Sequence, residues 1–210
     1  MLTCSKALPI LSLVILSACT HPYSTIRTIA IQPIAPYDSA QLPMLRHDLT
    51  AFFRRPVTLL PPITLPASYT NNTKGERYAA DSIIMHLTRE MTDSITQIVG
   101  FTHQDIYTTK RDQAGSVLLP VEKYAVWGIF GLGYCPGKAS VISDYRLSTT
   151  DSAIYRHRLR TVLLHEVGHN LGLPHCLNPY CIMNDANETI STIDKSSDDY
   201  CIACRRRISL

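Results

Sequence analysis

The eleven residues His165-Glu166-Val167-Gly168-His169-Asn170-Leu171-Gly172-Leu173-Pro174-His175 leave this chain little freedom of local structure. Two imidazoles four positions apart lie one turn apart on an α-helix, so both project from one face toward a single point. A helix must therefore run through His165 and His169. Gly172, three residues past the second imidazole, can adopt the left-handed conformation that ends a helix and turns the chain back. That bend carries His175 to the same point. Three neutral imidazoles with a fourth position left open are the donor set of a catalytic zinc. A zinc so held lowers the pKa of a bound water toward about 7 and polarises a carbonyl group. Glu166, beside the first ligand, is placed as general base at the usual proton-transfer reach of about 2.6 to 3.2 Å. A plain polar helix face with satisfied histidines is the competing interpretation of a lone His-Glu-x-x-His, and the continuation to His175 argues against it.

Periodicity orders the rest of the chain around that helix. Ile26 to Gln32 is β-branched and reads as a strand, and Leu42, Leu45, Leu49 and Phe52 recur at helical spacing. Pro56 to Leu60 reads as a second strand, followed by a proline-rich connection to about Asn72. Ala80, Ile83, Ile84, Leu87 and Met91 mark a second amphipathic helix, and Ile95 to Phe101 a further strand. Val126 to Leu132 and Ala139 to Ser143 are shorter strand-like runs on either side of the turn Gly133-Tyr134-Cys135-Pro136-Gly137. From Thr149 to Leu171 the pattern is helical, with capping side chains at Thr149 to Ser152 and Leu159, Val162, Leu163 and Val167 on one face. The tail beyond is read as irregular and cysteine-rich. The alternation predicts an α/β sandwich with a mixed, twisted sheet whose last helix carries the chemistry.

The 210 residues, 45% hydrophobic and 18% charged, suit one globular domain, and a net charge of +3 does not point to nucleic acid. A monomer is expected. At the front, Lys6 precedes an apolar run from Ala7 to Ala18 that is too short for a membrane-spanning helix and suits a secretory signal. It ends in Leu16-Ser17-Ala18-Cys19, which resembles the lipobox of bacterial lipoproteins, whose cysteine is acylated and becomes the new N-terminus. The expected organisation is a signal peptide over 1–18, a linker over 19–25 and a single domain over 26–210. Lipidated Cys19 would anchor the exported protein to a membrane. Thr20 after Cys19 would send it to the outer membrane, facing the periplasm, in a Gram-negative host. Loss of Cys4 and lipidation of Cys19 leave Cys135, Cys176, Cys181, Cys201 and Cys204, the last four in two close pairs.

Written out, the C-terminal third is HEVGHNLGLPHC, four residues, CIM, seventeen residues, then CIAC. This resembles the archaemetzincin signature at every fixed position. The likeness extends more loosely upstream through Arg77-Tyr78-Ala79-Ala80 and Gly128-Ile129-Phe130-Gly131. The resemblance implies a compact metzincin-type domain with a zinc peptidase centre at His165, His169 and His175, with Glu166 handling protons. It also implies that Met183 occupies the turn that floors the histidines, and that Cys176, Cys181, Cys201 and Cys204 hold a second, structural zinc that stabilises the C-terminal tail. Two closely spaced thiolate pairs suit such a closed tetrahedral site. In an oxidising compartment disulfides are the alternative use of the same four cysteines.

The functional expectation is a zinc metallopeptidase acting on peptides or unfolded protein segments. A non-catalytic zinc-binding or metal-handling lipoprotein is the rival, against which Glu166 speaks. A thiol oxidoreductase using Cys201 and Cys204 is the third, weakened by the placement of that pair in a terminal tail rather than at a helix start after a strand. His47, His86, His103 and His157 are expected to be surface or satisfied residues rather than ligands.

Overall fold

The computed structural model describes residues 26–186 and 189–210. The expected signal, lipobox and linker, with Cys4 and Cys19, lie outside them. Five strands form the main sheet, with β1 (Ile29–Ile34) between β2 (Val57–Leu59) and β5 (Gln97–Thr102), then β9 (Ala139–Ser143) and β8 (Gly131–Gly133). All neighbours are parallel except β8, which pairs antiparallel with β9 at one edge. Every residue of β1, β5 and β9 is buried, as expected for parallel strands covered on both faces.

The strand period of two divides the core. Ile29, Ile31, Val99 and Phe101 pack against α1 (Leu42–Phe53), α4 (Ser152–Asn170) and the C-terminal tail. Ala30, Ile34, Ile98 and Val141 face α2 (Ala80–Glu90) and Ile106 on the other side. A second sheet of four short strands runs β3 (Thr70–Asn71), β4 (Arg77–Ala79), β6 (Ile106–Thr108), β7 (Trp127–Ile129). Asp105 joins the two sheets: its buried carboxylate accepts from Arg77 Nε at 2.8 Å in β4 and from Arg146 Nε and a terminal nitrogen at 2.6 and 2.7 Å beyond β9.

The expected α/β class and mixed sheet are present, and the departures have local causes. The run Val126 to Leu132 is not one strand. It divides at Phe130, with β7 in the small sheet and β8 in the large one, because the chain changes partner from β6 to β9 there. The proline-rich connection ends in β3, too short to show a period. The tail is not irregular: it contains α5 (Ile190–Lys195) and α6 (Ile202–Ile208), and a further short helix, α3 (Val121–Tyr124), precedes β7. One- and two-turn helices carry too few residues for an apolar stripe to be seen. Among the described residues no helix is long and apolar enough to cross a membrane.

Candidate metal centre

The helix α4 starts where expected: the Asp151 carboxylate accepts from the N–H groups of Ala153 and Ile154 at 2.8 and 3.1 Å. Its first two turns are largely exposed, but from Leu159 onward most residues are buried, so it presents His165, Glu166 and His169 from a firmly packed support. Gly172 has φ +87°, and the N–H groups of Gly172 and Leu173 donate to the carbonyls of His169 and Gly168 at 2.8 and 3.0 Å. This is the predicted helix stop. It brings His175 back, so that one ring nitrogen from each of His165, His169 and His175 lies within 4.8 Å of the others.

Protein carbonyls select which nitrogens converge. His165 Nδ1 donates to Ile182 O at 2.7 Å, and His169 Nδ1 to Leu173 O at 2.8 Å, which leaves Nε2 of each for a metal. Burial, followed by the neighbouring His169, pushes His165 down to about 3, and burial lowers His169 as well. Both imidazoles are thereby kept neutral, the form that ligates. His175 is half exposed and its Nδ1 stands 3.5 Å from Asp185 Oδ2. The residues present fit a divalent cation of the kind that takes three imidazoles.

The segment 182–184 clamps the third histidine from below. Cys176 N donates to Met183 O at 2.7 Å, and Asn184 Nδ2 to Cys176 O at 2.9 Å. Met183 is fully buried, and its sulfur lies where a Cβ on Gly168 would be; the same Cβ would come within 3.0 Å of the Tyr200 hydroxyl. Tyr200 in turn donates to Leu164 O at 2.6 Å. Gly168 thus admits the methionine beneath the helix, a reason invisible in the motif, where it reads as a spacer. Nothing local in the sequence marks Tyr200.

Glu166 is buried, and burial pushes its carboxyl up to about 8, opposed by a hydrogen bond from the Gly133 N–H. A Cβ on Gly131 would stand 2.7 Å from Glu166 Cγ and 2.8 Å from Oε1, so β8 rides directly over this side chain. Both open onto a cleft of ≈ 300 Å³ whose rim is the stretch Trp127 to Gly133. Ile182, Asn184 and Ile193 line its other wall.

The four cysteines form a second candidate metal cluster, their sulfurs all within 4.8 Å of one another. Cys176 to Cys201 and Cys181 to Cys204 are each 3.8 Å apart. A tetrahedral site with Zn–S bonds of about 2.3 Å has an edge of about 3.8 Å. Burial works against the Cys201 thiolate, but hydrogen bonds from the Cys204 backbone and the neighbouring thiols bring it down to about 7. Contrary to expectation, Cys201 does cap a helix start, that of α6, but its sulfur is grouped with three others. Cys135 is exposed and outside the cluster. His103 is held by Asp144 at 2.7 Å and His157 by Asp198 and Ile193 O at 3.1 and 3.0 Å; neither these nor His47 and His86 join a metal cluster among the described residues.

Known proteins resemble this chain in both sequence and fold. The archaemetzincin of Natronomonas pharaonis is 40% identical over 89 residues, which is 38% of this chain and 51% of that protein, so the chain spans about half the length of this curated relative. The archaemetzincin of Archaeoglobus fulgidus is 28% identical over 86% of this chain and 98% of its own length. Its crystal structure superposes with a TM-score of 0.69 over 86% of this chain and 99% of that one, at 27% identity. The archaemetzincin structure from Methanopyrus kandleri, at 22% identity, shares the fold with a TM-score of 0.71 over 88% and 94% of the two chains. The sequence profile of peptidase family M54 matches residues 55–209, about three quarters of the sequence, and the chain belongs to that family.

Proposed function

We infer that the protein is a zinc metallopeptidase whose catalytic metal is held by His165, His169 and His175, with Glu166 as general base. One observation carries this reading: three imidazoles, two of them oriented by backbone carbonyls, meet beside a buried carboxylate at the floor of an open cleft. Zinc bound there would supply Lewis acidity, activating a water and polarising the scissile carbonyl. Glu166 takes the proton of the attacking water on a carboxylate oxygen and returns it to the leaving amine. A cation nearby favours the ionised carboxylate, offsetting the burial that raises its pKa. Met183 and Tyr200 keep the helix in register beneath. β8 lies at the edge of the main sheet along the cleft, a position where an extended peptide can add as a further strand.

For Cys176, Cys181, Cys201 and Cys204 the reading is a structural zinc that ties the loop after His175 to α6, supported by the grouping of their sulfurs within 4.8 Å, two pairs of them at the 3.8 Å edge of such a site. A non-catalytic zinc carrier is disfavoured because it has no use for Glu166 at the cleft floor. The segment ending in Cys19 supports export and a lipid anchor on sequence grounds alone. Its linker reaches only on the order of 20 Å, which would hold the cleft close to a membrane. Cys19→Ala should release the protein from membranes; unchanged fractionation would refute the anchor. The peptidase reading is tested by digestion of a peptide library with and without chelator. Cleavage abolished by chelator and restored by zinc supports it, and chelator-insensitive cleavage refutes it.

A further inference from the structure

The four-cysteine cluster carries apolar side chains on its outside. Leu177 is 99% exposed, Ile202 70% and Tyr180 66%, among the most exposed large apolar residues described. They adjoin Cys176, Cys201 and Cys181 in sequence, and the four sulfurs lie within 4.8 Å of one another, so all three stand around one small centre. The loop that presents them is held in place. Tyr180 N donates to Asn178 Oδ1 at 3.0 Å, Asn178 N to Cys176 Sγ at 3.5 Å, and Ser197 N to Tyr180 O at 2.7 Å. Apolar side chains grouped and fixed in this way mark a contact surface.

Positive charge lies beside them. The helix α6 buries Cys204 and Ile208 and leaves Ile202, Ala203, Arg206 and Arg207 exposed, with Arg206 one turn beyond Ile202. Arg207 lines one groove with Arg27 and Lys138. No carboxylate pairs with any of these four cations among the described residues. Asp93 lines the same groove, while Asp199 is taken up by Arg205 at 2.6 Å and Asp198 lies 3.1 Å from His157. The balance of this face is positive.

The occupant follows from where the chain enters. The inference rests on the lipid anchor at Cys19, whose linker reaches the domain at Ile26 over a span on the order of 20 Å. Arg27 shares its groove with Arg207, and the length of α6 sets Ile202 only about 10 Å further on. The helix and the cysteine knob thus stand close to the lipid. We propose that the outer face of α6, together with Leu177 and Tyr180, seats on a bilayer surface carrying anionic phospholipid. The arginines meet phosphate groups there, and the apolar tips enter the interface.

Full-length Cys19→Ala protein, which cannot be acylated at that position, is floated with vesicles of phosphatidylglycerol or of phosphatidylcholine. It should bind phosphatidylglycerol more tightly. Adding Arg206→Gln and Arg207→Gln should weaken that binding about thirtyfold, about fivefold for each arginine near an anionic surface. Adding Leu177→Ser and Ile202→Ser should weaken binding to both lipids. All four side chains are exposed, so these variants keep the fold. Trp127 is the sole tryptophan, so Trp127→Phe with Tyr180→Trp moves the emission to the knob, where phosphatidylglycerol brominated on its acyl chains should quench it. Equal binding to the two lipids, arginine variants that bind as their parent does, or emission unaffected by bromine overturns the proposal. A concentration-dependent dimer in place of vesicle binding also overturns it and assigns the face to a second copy of the chain. If Cys19→Ala fractionates with cell membranes as wild type does while the lipid preference holds, the anchor fails and the docking face stands.

Discussion

His165 Nδ1 donates to the carbonyl oxygen of Ile182 at 2.7 Å, and this bond couples the helix that carries the first imidazole to the segment that pins the third. The next residue, Met183, accepts from the N–H of Cys176, immediately after His175. One three-residue stretch thus orients two ligands at once, which is how partners of metal ligands set tautomer and direction.

Gly168→Ala tests the packing under the helix. Alanine is intrinsically the better helix former by about 1 kcal/mol, yet its methyl group would overlap the Met183 sulfur. Overpacking of this kind costs about 1–3 kcal/mol, so the variant should unfold at a lower temperature than wild type in a thermal scan. A higher Tm would mean that Met183 does not lie against this position.

The cysteine cluster has a consequence for the distant histidines. Cys181→Ser should lower the metal content from two zinc ions per chain to one and reduce turnover by about tenfold, because the anchor of the His175 loop is loosened. Metal analysis together with peptide cleavage checks both parts, and a variant that keeps two zinc ions contradicts the four-thiolate site.

Acid should weaken the metal-free fold through His165. The folded protein holds this imidazole at about 3, whereas an unfolded chain titrates near 6.5. Above pH 6.5 both states are neutral there and the residue contributes no slope. As pH falls from 6.5 toward 3 the unfolded chain binds a proton that the folded one does not, and stability drops. Glu166, held near 8, titrates with the opposite sign over the same range, so the histidine is isolated by comparison: melting temperatures of chelator-treated protein from pH 8 to 4 should fall more steeply toward acid in wild type than in His165→Gln, and parallel profiles would contradict this.

Asp105→Asn leaves Arg77 and Arg146 without their shared carboxylate. Full burial would make the loss about 3–5 kcal/mol, and the partial exposure of Arg146 brings the expectation to about 2 kcal/mol. Denaturant unfolding measures it; a change below about 0.5 kcal/mol would show that the joint between the sheets carries little energy.

The legible part of the chain was the part governed by short-range rules. The helix through His165 and His169, its stop at Gly172 and the return of His175 follow from 3.6-residue periodicity and the conformational freedom of glycine. The Cys-x-x-Cys spacing and Met183 were legible through family likeness. What escaped depends on contacts between distant residues: Tyr200 reaches Leu164 across 36 positions, and His165 reaches Ile182 across 17. The division of Val126 to Leu132 between two sheets likewise depends on which strand lies alongside, β6 or β9.

On the proposed function, three imidazoles hold a zinc ion whose chemistry needs the carboxylate of Glu166. Its most direct test compares zinc-loaded wild type with Glu166→Gln, measuring bound zinc and peptide cleavage in the same preparations. Equal zinc in both and cleavage by the wild type alone are the expected result. Equal cleavage by the two proteins at equal zinc content would contradict it.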